Sequence, residues 1–264
     1  MSLAAYLLSL PPWLTIGLLV MVAVSFSILG FLVVHRYVPV KVRQIHNDVA
    51  GFVFATLGAT YGVLLAFVVI VVWEQLNDAK SNVANESSVA YVLYHDMDAF
   101  PDDAFSDAML AAMTQYLRMS IEEQARESSQ QSPERSESAM DRLLALVWNF
   151  VPDSEHERLV YGRILDNMND LARYRNLRLQ SSREELPGAI WIGVVVGALI
   201  TIAFTFLFGT ENLWAHLTIM SLLATLIAVV IYVVIELDHP SLGSVRIGPP
   251  DSYARILELA NAKR

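Results

Sequence analysis

Residues 51–73 read GFVFATLGATYGVLLAFVVIVVW and carry no charged side chain. As a helix rising about 1.5 Å per residue, the stretch is long enough to cross the roughly 30 Å hydrocarbon core of a bilayer. Three further runs, 12–34, 188–208 and 213–235, share its length and its near absence of charge. They account for a 55% hydrophobic content and a mean hydropathy of +0.44, too apolar for an ordinary soluble domain. The expected fold is therefore all-α: a polytopic membrane protein with four transmembrane helices. No Lys or Arg precedes the first run, and a second span follows closely, so it reads as a retained helix rather than a signal peptide.

The spans divide the chain. Residues 1–73 form an N-terminal transmembrane pair, and 74–187 a helical extramembrane domain inserted between spans 2 and 3. Residues 188–235 form a C-terminal transmembrane hairpin and 236–264 a tail. The inserted domain holds 21 acidic and 11 basic side chains, a net charge of about −10. A nucleic-acid partner calls for the opposite sign, because phosphate binding is driven by Lys and Arg, so that class is excluded. The absence of cysteine excludes disulfides, thiolate metal sites and cysteine nucleophiles.

An even number of spans puts both termini and the inserted domain on one side. Lys80, Arg173, Arg175, Arg178, Arg183, Arg246 and Arg255 lie near span ends on that side, against Arg36, Lys41 and Arg43 on the other. Seven against three places the domain and termini in the cytoplasm of a bacterial inner membrane, although the compact cluster between the first two spans pulls the other way.

Within the inserted domain, Leu76, Val83, Ala90 and Met97 recur at intervals of seven, with Leu93 and Phe100 on the same face. This predicts an amphipathic helix continuous with the second span. Pro101 ends it, and Asp102-Asp103 supplies a cap for the next helix. The composition of 127–138, ESSQQSPERSES, predicts a loop. A shorter helix over 140–151 and a long one from Ser154 to Leu186 complete the domain, the latter with Leu165, Met168, Leu171 and Ala172 inward.

Little of this carries chemistry. There is no phosphate-cradling glycine loop, no HExxH and no GxSxG, and nothing pairs a nucleophile with a base. No catalytic residue, cofactor or metal site is expected. His95-Asp96-Met97-Asp98 lacks the glycine turn and regular oxygen offsets of a calcium loop, and reads as a solvated helix end. His216, Glu74 and Glu236 read as interfacial groups at span ends. Arg173, Arg175, Arg178 and Arg183 read either as a topology signal or as holders of lipid headgroups.

The second span offers two readings. Gly51, Ala55, Gly58, Gly62 and Ala66, with Ala59, give it a small-residue side on which helices pack closely. The same feature lets several copies gather around an axis, with Thr56 and Thr60 facing a lumen and Val63 and Phe67 as an apolar gate.

Two motifs carry a resemblance. One is Gly58-Ala59-Thr60-Tyr61-Gly62-Val63-Leu64-Leu65-Ala66-Phe67 with the exit Val71-Val72-Trp73-Glu74-Gln75. The other is Leu237-Asp238-His239-Pro240 with Gly243. With the two-span, insert and hairpin layout, they resemble the bestrophin-like family of bacterial membrane proteins; Ser241 stands where the family usually has an aromatic. The resemblance implies kinship with bestrophins, homo-oligomeric anion channels whose second span lines the pore. It makes Thr56, Thr60, Val63 and Phe67 the pore-lining candidates, a small inorganic ion the cargo, and the lipid bilayer and further copies of the chain the partners. The acidic domain opposes anion conduction, since a negative vestibule repels anions. The rival expectation is a non-conducting membrane scaffold or sensor whose helical domain binds a soluble partner.

Overall fold

The computed structural model describes residues 3–126, 134–239, 242–245 and 247–262. Ten helices occur among them: α1 (Leu3–Leu8), α2 (Pro12–Tyr37), α3 (Val40–Gln44), α4 (Asn47–Asp98), α5 (Asp103–Arg126), α6 (Glu134–Trp148), α7 (Glu155–Ser181), α8 (Gly188–Thr205), α9 (Leu213–Asp238) and α10 (Asp251–Ala262). No strand appears among the described residues. Helices α2, α4, α8 and α9 are long and apolar enough to cross a membrane, the four spans read from the sequence. The chain divides into two compact units, Met1–Leu76 with Glu185–Val245 and Asn77–Glu184 with Arg246–Arg264. Helix α4 contributes to both, and the tail is shared between them.

In the spanning unit, Pro11 and Pro12 start α2 where a missing N–H costs nothing, and the Asn212 side chain caps α9 by accepting from Ala215 N at 3.1 Å. Helix α2 packs mainly against α9, and α8 touches both. The buried row of α9 includes Met220, Ala224, Ile227 and Ala228, small enough in part to let helices approach. His216, near the start of α9, is buried, its ring 4.5 Å from that of Phe31. Glu236, at the end of the same span, is buried as well. The chain folds back after α9, and the Glu236 carboxylate accepts from the Ser244 backbone N, from Ser244 Oγ at 2.5 Å and from Val245 N at 3.3 Å. The turn needs Gly243, whose φ is +73° and whose missing Cβ would stand 2.7 Å from Glu236 Oε1. Asp238 ties the end of α9 to the approach to α8, accepting from Leu186 N at 2.7 Å and Trp191 Nε1 at 3.2 Å. Pro240 and Ser241 of the same motif lie outside the described residues.

The helical unit is built on the heptad stripe. Ala90, Leu93, Met97 and Phe100 are buried against Met109, Met113, Leu117, Leu143, Ile164 and Met168. Asp102 caps α5 by accepting from Phe105 N at 3.0 Å, and Ser154 caps α7 by accepting from Glu157 N at 3.1 Å. Helix α6 begins at Glu134, earlier than its polar composition suggested. Ser136 is buried, donates to Glu123 and accepts from Arg175 Nη2 at 2.9 Å, which holds the polar turn in the helix. The rest of the expected loop, 127–133, lies outside the described residues. Helix α7 stops at Ser181 rather than continuing to Leu186.

Asp96 is not at a solvated helix end: it is buried, paired with Arg163 Nη2 at 2.6 Å and bonded by Asn167 Nδ2 at 2.8 Å. Arg175 and Arg178 are also buried and hold no lipid headgroup, because they continue the inward row Ile164, Met168, Leu171 along α7. Arg173 and Arg183 are exposed, and Arg246 lies outside the described residues. The tail helix α10 packs on α5 with Tyr253 and Ile256 fully buried, and Ser252 is hydrogen-bonded to Ser87.

Candidate functional site

Helix α4 has three distinct faces over residues 51–76. At about 100° per residue, Tyr61, Leu65, Val68 and Val72 fall on one side, and all four are buried. Tyr61 anchors that side: its hydroxyl donates to Val194 O at 3.0 Å. Its ring lies over Gly197, where a Cβ would come within 2.5 Å of it. Phe54 extends the contact by stacking on Phe204 at 5.9 Å.

Thr56, Thr60, Val63 and Phe67 share another face, roughly 140° around the helix from the Tyr61 side. All are exposed, Val63 by 56% and Phe67 by 65%. Their polar groups are already satisfied along the helix: Thr56 Oγ1 donates to Phe52 O at 3.2 Å, and Thr60 Oγ1 to Thr56 O at 2.9 Å. The face is thus chemically tolerant of an apolar surrounding while still presenting hydroxyl oxygens.

Gly51, Gly58, Gly62, Ala55 and Ala66 lie on the flank between these two faces. A Cβ added at Gly51, Gly58 or Gly62 meets nothing within 4 Å, and Ala55 and Ala66 are exposed. The close approaches within the chain are made by other glycines. Gly197 receives Tyr61, and Gly30 receives Phe206, whose ring would be 2.5 Å from a Cβ. Sequence reasoning passed over Gly197, although Gly193 and Gly197 are four apart in the third span and form the usual small-residue signal.

A second polar constellation was missed altogether. Glu86 is fully buried in the helical unit and accepts from Arg178 Nε at 2.6 Å and Tyr116 Oη at 2.8 Å. Burial alone would lower the Arg178 pKa, but the Glu86 carboxylate outweighs it and holds the guanidinium more firmly protonated than usual. Burial, then Glu86, pushes the Tyr116 and Tyr253 hydroxyls well above the ordinary tyrosine range. Only Glu86, at the position where a heptad face wants an apolar residue, signalled this cluster. Its charges compensate one another inside a packed core, so its chemistry is structural.

The bestrophin-like domain profile matches residues 21–251. The chain belongs to the bestrophin-like family. A crystal structure of a bacterial bestrophin homologue from Klebsiella pneumoniae is similar, with a TM-score of 0.68 and 13% identity over 94% of this chain and 98% of that one. Another variant of that homologue gives 0.67 at 11% identity, with the same coverage. At such identity the likeness shows that the bestrophin-like chain shares their fold. No curated protein sequence matches it.

Proposed function

We propose that this bestrophin-like protein is a homo-oligomeric ion channel of the bacterial inner membrane whose pore is lined by α4. The observation that carries the reading is the exposure of Thr56, Thr60, Val63 and Phe67 on one face of α4, away from the face by which it packs into its own chain. A helix fixed on one side and bare on the other can present the bare side to an axis formed by several copies. The flank of Gly51, Gly58 and Gly62, uncovered within the chain, suits the close approach of neighbouring copies. Val63 and Phe67 supply the apolar ring that gates by dewetting, and the threonine hydroxyls the polar steps between.

The acidic inserted domain, residues 74–187 with a net charge of about −10, favours cations over anions as the conducted ion. Exposed Lys80, Arg173, Arg183 and Arg255, against exposed Arg36 and Lys41, support a cytoplasmic helical unit and cytoplasmic termini. A scaffold would instead want an occluded second span and an open apolar groove along 83–121. Most of those apolar side chains form a core, and the span has a bare face.

The test is ion flux from liposomes holding the purified oligomer. Thr60→Trp should block selective flux, and Phe67→Ala should enhance it. No flux of any common anion or cation through a correctly inserted oligomer would reject the channel.

A further inference from the structure

Arg43, in the connector between the first two spans, is only 5% exposed. Its partners among the described residues carry no negative charge. Nη1 donates to Phe206 O at 3.1 Å and Phe208 O at 3.2 Å, the carbonyls just past the C-terminal end of α8. Nη2 donates to His35 Nδ1 at 2.9 Å, and the guanidinium carbon lies 5.4 Å from the centre of the Phe31 ring. Beside Arg43 the Asn47 side-chain amide grips the Gly209 backbone. Asn47 Nδ2 donates to Gly209 O at 2.8 Å, and Gly209 N donates to Asn47 Oδ1 at 3.0 Å. A Cβ on Gly209 would stand 2.6 Å from Gln44 N. Together these contacts pin α3 and the first residue of α4 to the turn between α8 and α9.

One of them depends on the proton count. A guanidinium has donors only, so the His35 Nδ1 that faces it must be the acceptor and carry a lone pair. A protonated imidazole has no lone pair to offer and places a second positive charge against the first. His35 is exposed, so a proton reaches it without any opening of the fold. The titratable group facing this cluster from α9 is His216, across the Phe31 ring. Helix α8 presents carbonyls, and α4 presents the neutral Asn47 amide. No carboxylate is placed to absorb a second charge among these contacts.

We propose that the Arg43–His35 contact is an acid-released latch: protonation of His35 loosens α3 and the start of α4 from the α8–α9 turn. The latch stands apart from the channel reading, because its test needs no ion flux. The chain has no cysteine, so Ile45→Cys with Glu211→Cys, both exposed, gives one clean pair for spin labels. The labelled full-length protein is diluted with unlabelled copies in nanodiscs. The label-to-label distance is then measured at about pH 8 and about pH 5, the span over which imidazoles change charge.

The expected result is a single narrow population at the higher pH and an added longer one at the lower. His35→Gln, whose amide oxygen still accepts from Arg43, should stay narrow at both. His35→Lys, a fixed cation, should show the longer population at both. Should the lysine variant fail to assemble, wild type against His35→Gln still decides. An unchanged wild-type distance would overturn the latch. So would an acid shift that survives in His35→Gln, and its loss in His216→Gln would then place the titration on the buried ring.

Discussion

Two arginines are buried in this protein in different company. In the helical unit Arg178 meets the Glu86 carboxylate at 2.6 Å, with Tyr116 bonded to the same acid. In the spanning unit Arg43 meets two carbonyl oxygens and an imidazole nitrogen. The first is charge against charge. The second rests on backbone dipoles, since a helix end offers only partial negative charge, and on an imidazole nitrogen that must keep its lone pair. One unit is therefore locked by its side chains, whereas the other is joined through backbone contacts that a proton or a methyl group can disturb.

The sharpest way to break the comparison is to remove one acid. Glu86→Ala leaves the Arg178 guanidinium buried without its counter-charge, and loss of one partner of such a pair costs about 3–5 kcal/mol. Thermal unfolding in detergent should show the helical unit as the casualty. Glu86→Leu combined with Arg178→Met should recover most of the loss, because a well-packed apolar pair replaces a buried ion pair at little cost. Equal damage from the single and double variants would mean that Glu86 acts through packing alone.

Arg43→Met should cost less, about 1–3 kcal/mol, since it deprives carbonyls of a donor but strands no charge. It should also abolish any dependence of the α3 position on the state of His35. A loss as large as that of Glu86→Ala would remove the distinction between the two sites.

Gly197→Ala tests the spanning unit's reliance on close backbone contact. The added methyl meets the Tyr61 ring, which is held in place by its hydroxyl on Val194 O. Overpacking of this kind costs about 1–3 kcal/mol. Gly58→Ala, with nothing within 4 Å, should leave the fold of one chain untouched. Gly58→Leu should nevertheless weaken the oligomer on size exclusion if that flank is where copies meet.

What the sequence disclosed follows the same division. Uncharged length reveals a span, and seven-residue spacing reveals the stripe Leu76, Ala90, Met97, because both are local. Arg175 and Arg178 misled, since a charge suggests surface until the acid that buries it is known, and Glu86 lies 92 positions from Arg178. Arg43 read as part of a basic connector for the same reason, its carbonyl partner at Phe206 being 163 positions away. The start of α6 was hidden by its serines and glutamates, which read as loop until Arg175 and Glu123 are seen to satisfy Ser136. On α4, spacing grouped Thr56, Thr60, Val63 and Phe67 as one stripe, and all four are exposed. No local pattern says that Tyr61 rather than a glycine flank would face the rest of the chain.

The smallest effect near neutral pH is the most specific to the locked unit. Burial and then Glu86 raise the Tyr116 and Tyr253 hydroxyls in the folded protein, whereas the unfolded chain titrates them near pH ~10. Below that pH both states hold the protons, and the contribution to stability is complete. Above it the unfolded chain loses protons that the folded one keeps, so the folded state binds more of them and stability falls as pH rises. Wild-type melting temperature should accordingly decline from about pH 10 upward. Tyr116→Phe starts from a lower baseline, having lost its bond to Glu86, but its alkaline decline should be shallower. Parallel declines would mean that Tyr116 ionises in the core as readily as in water. The Glu86 cluster would then be open to proton exchange rather than locked.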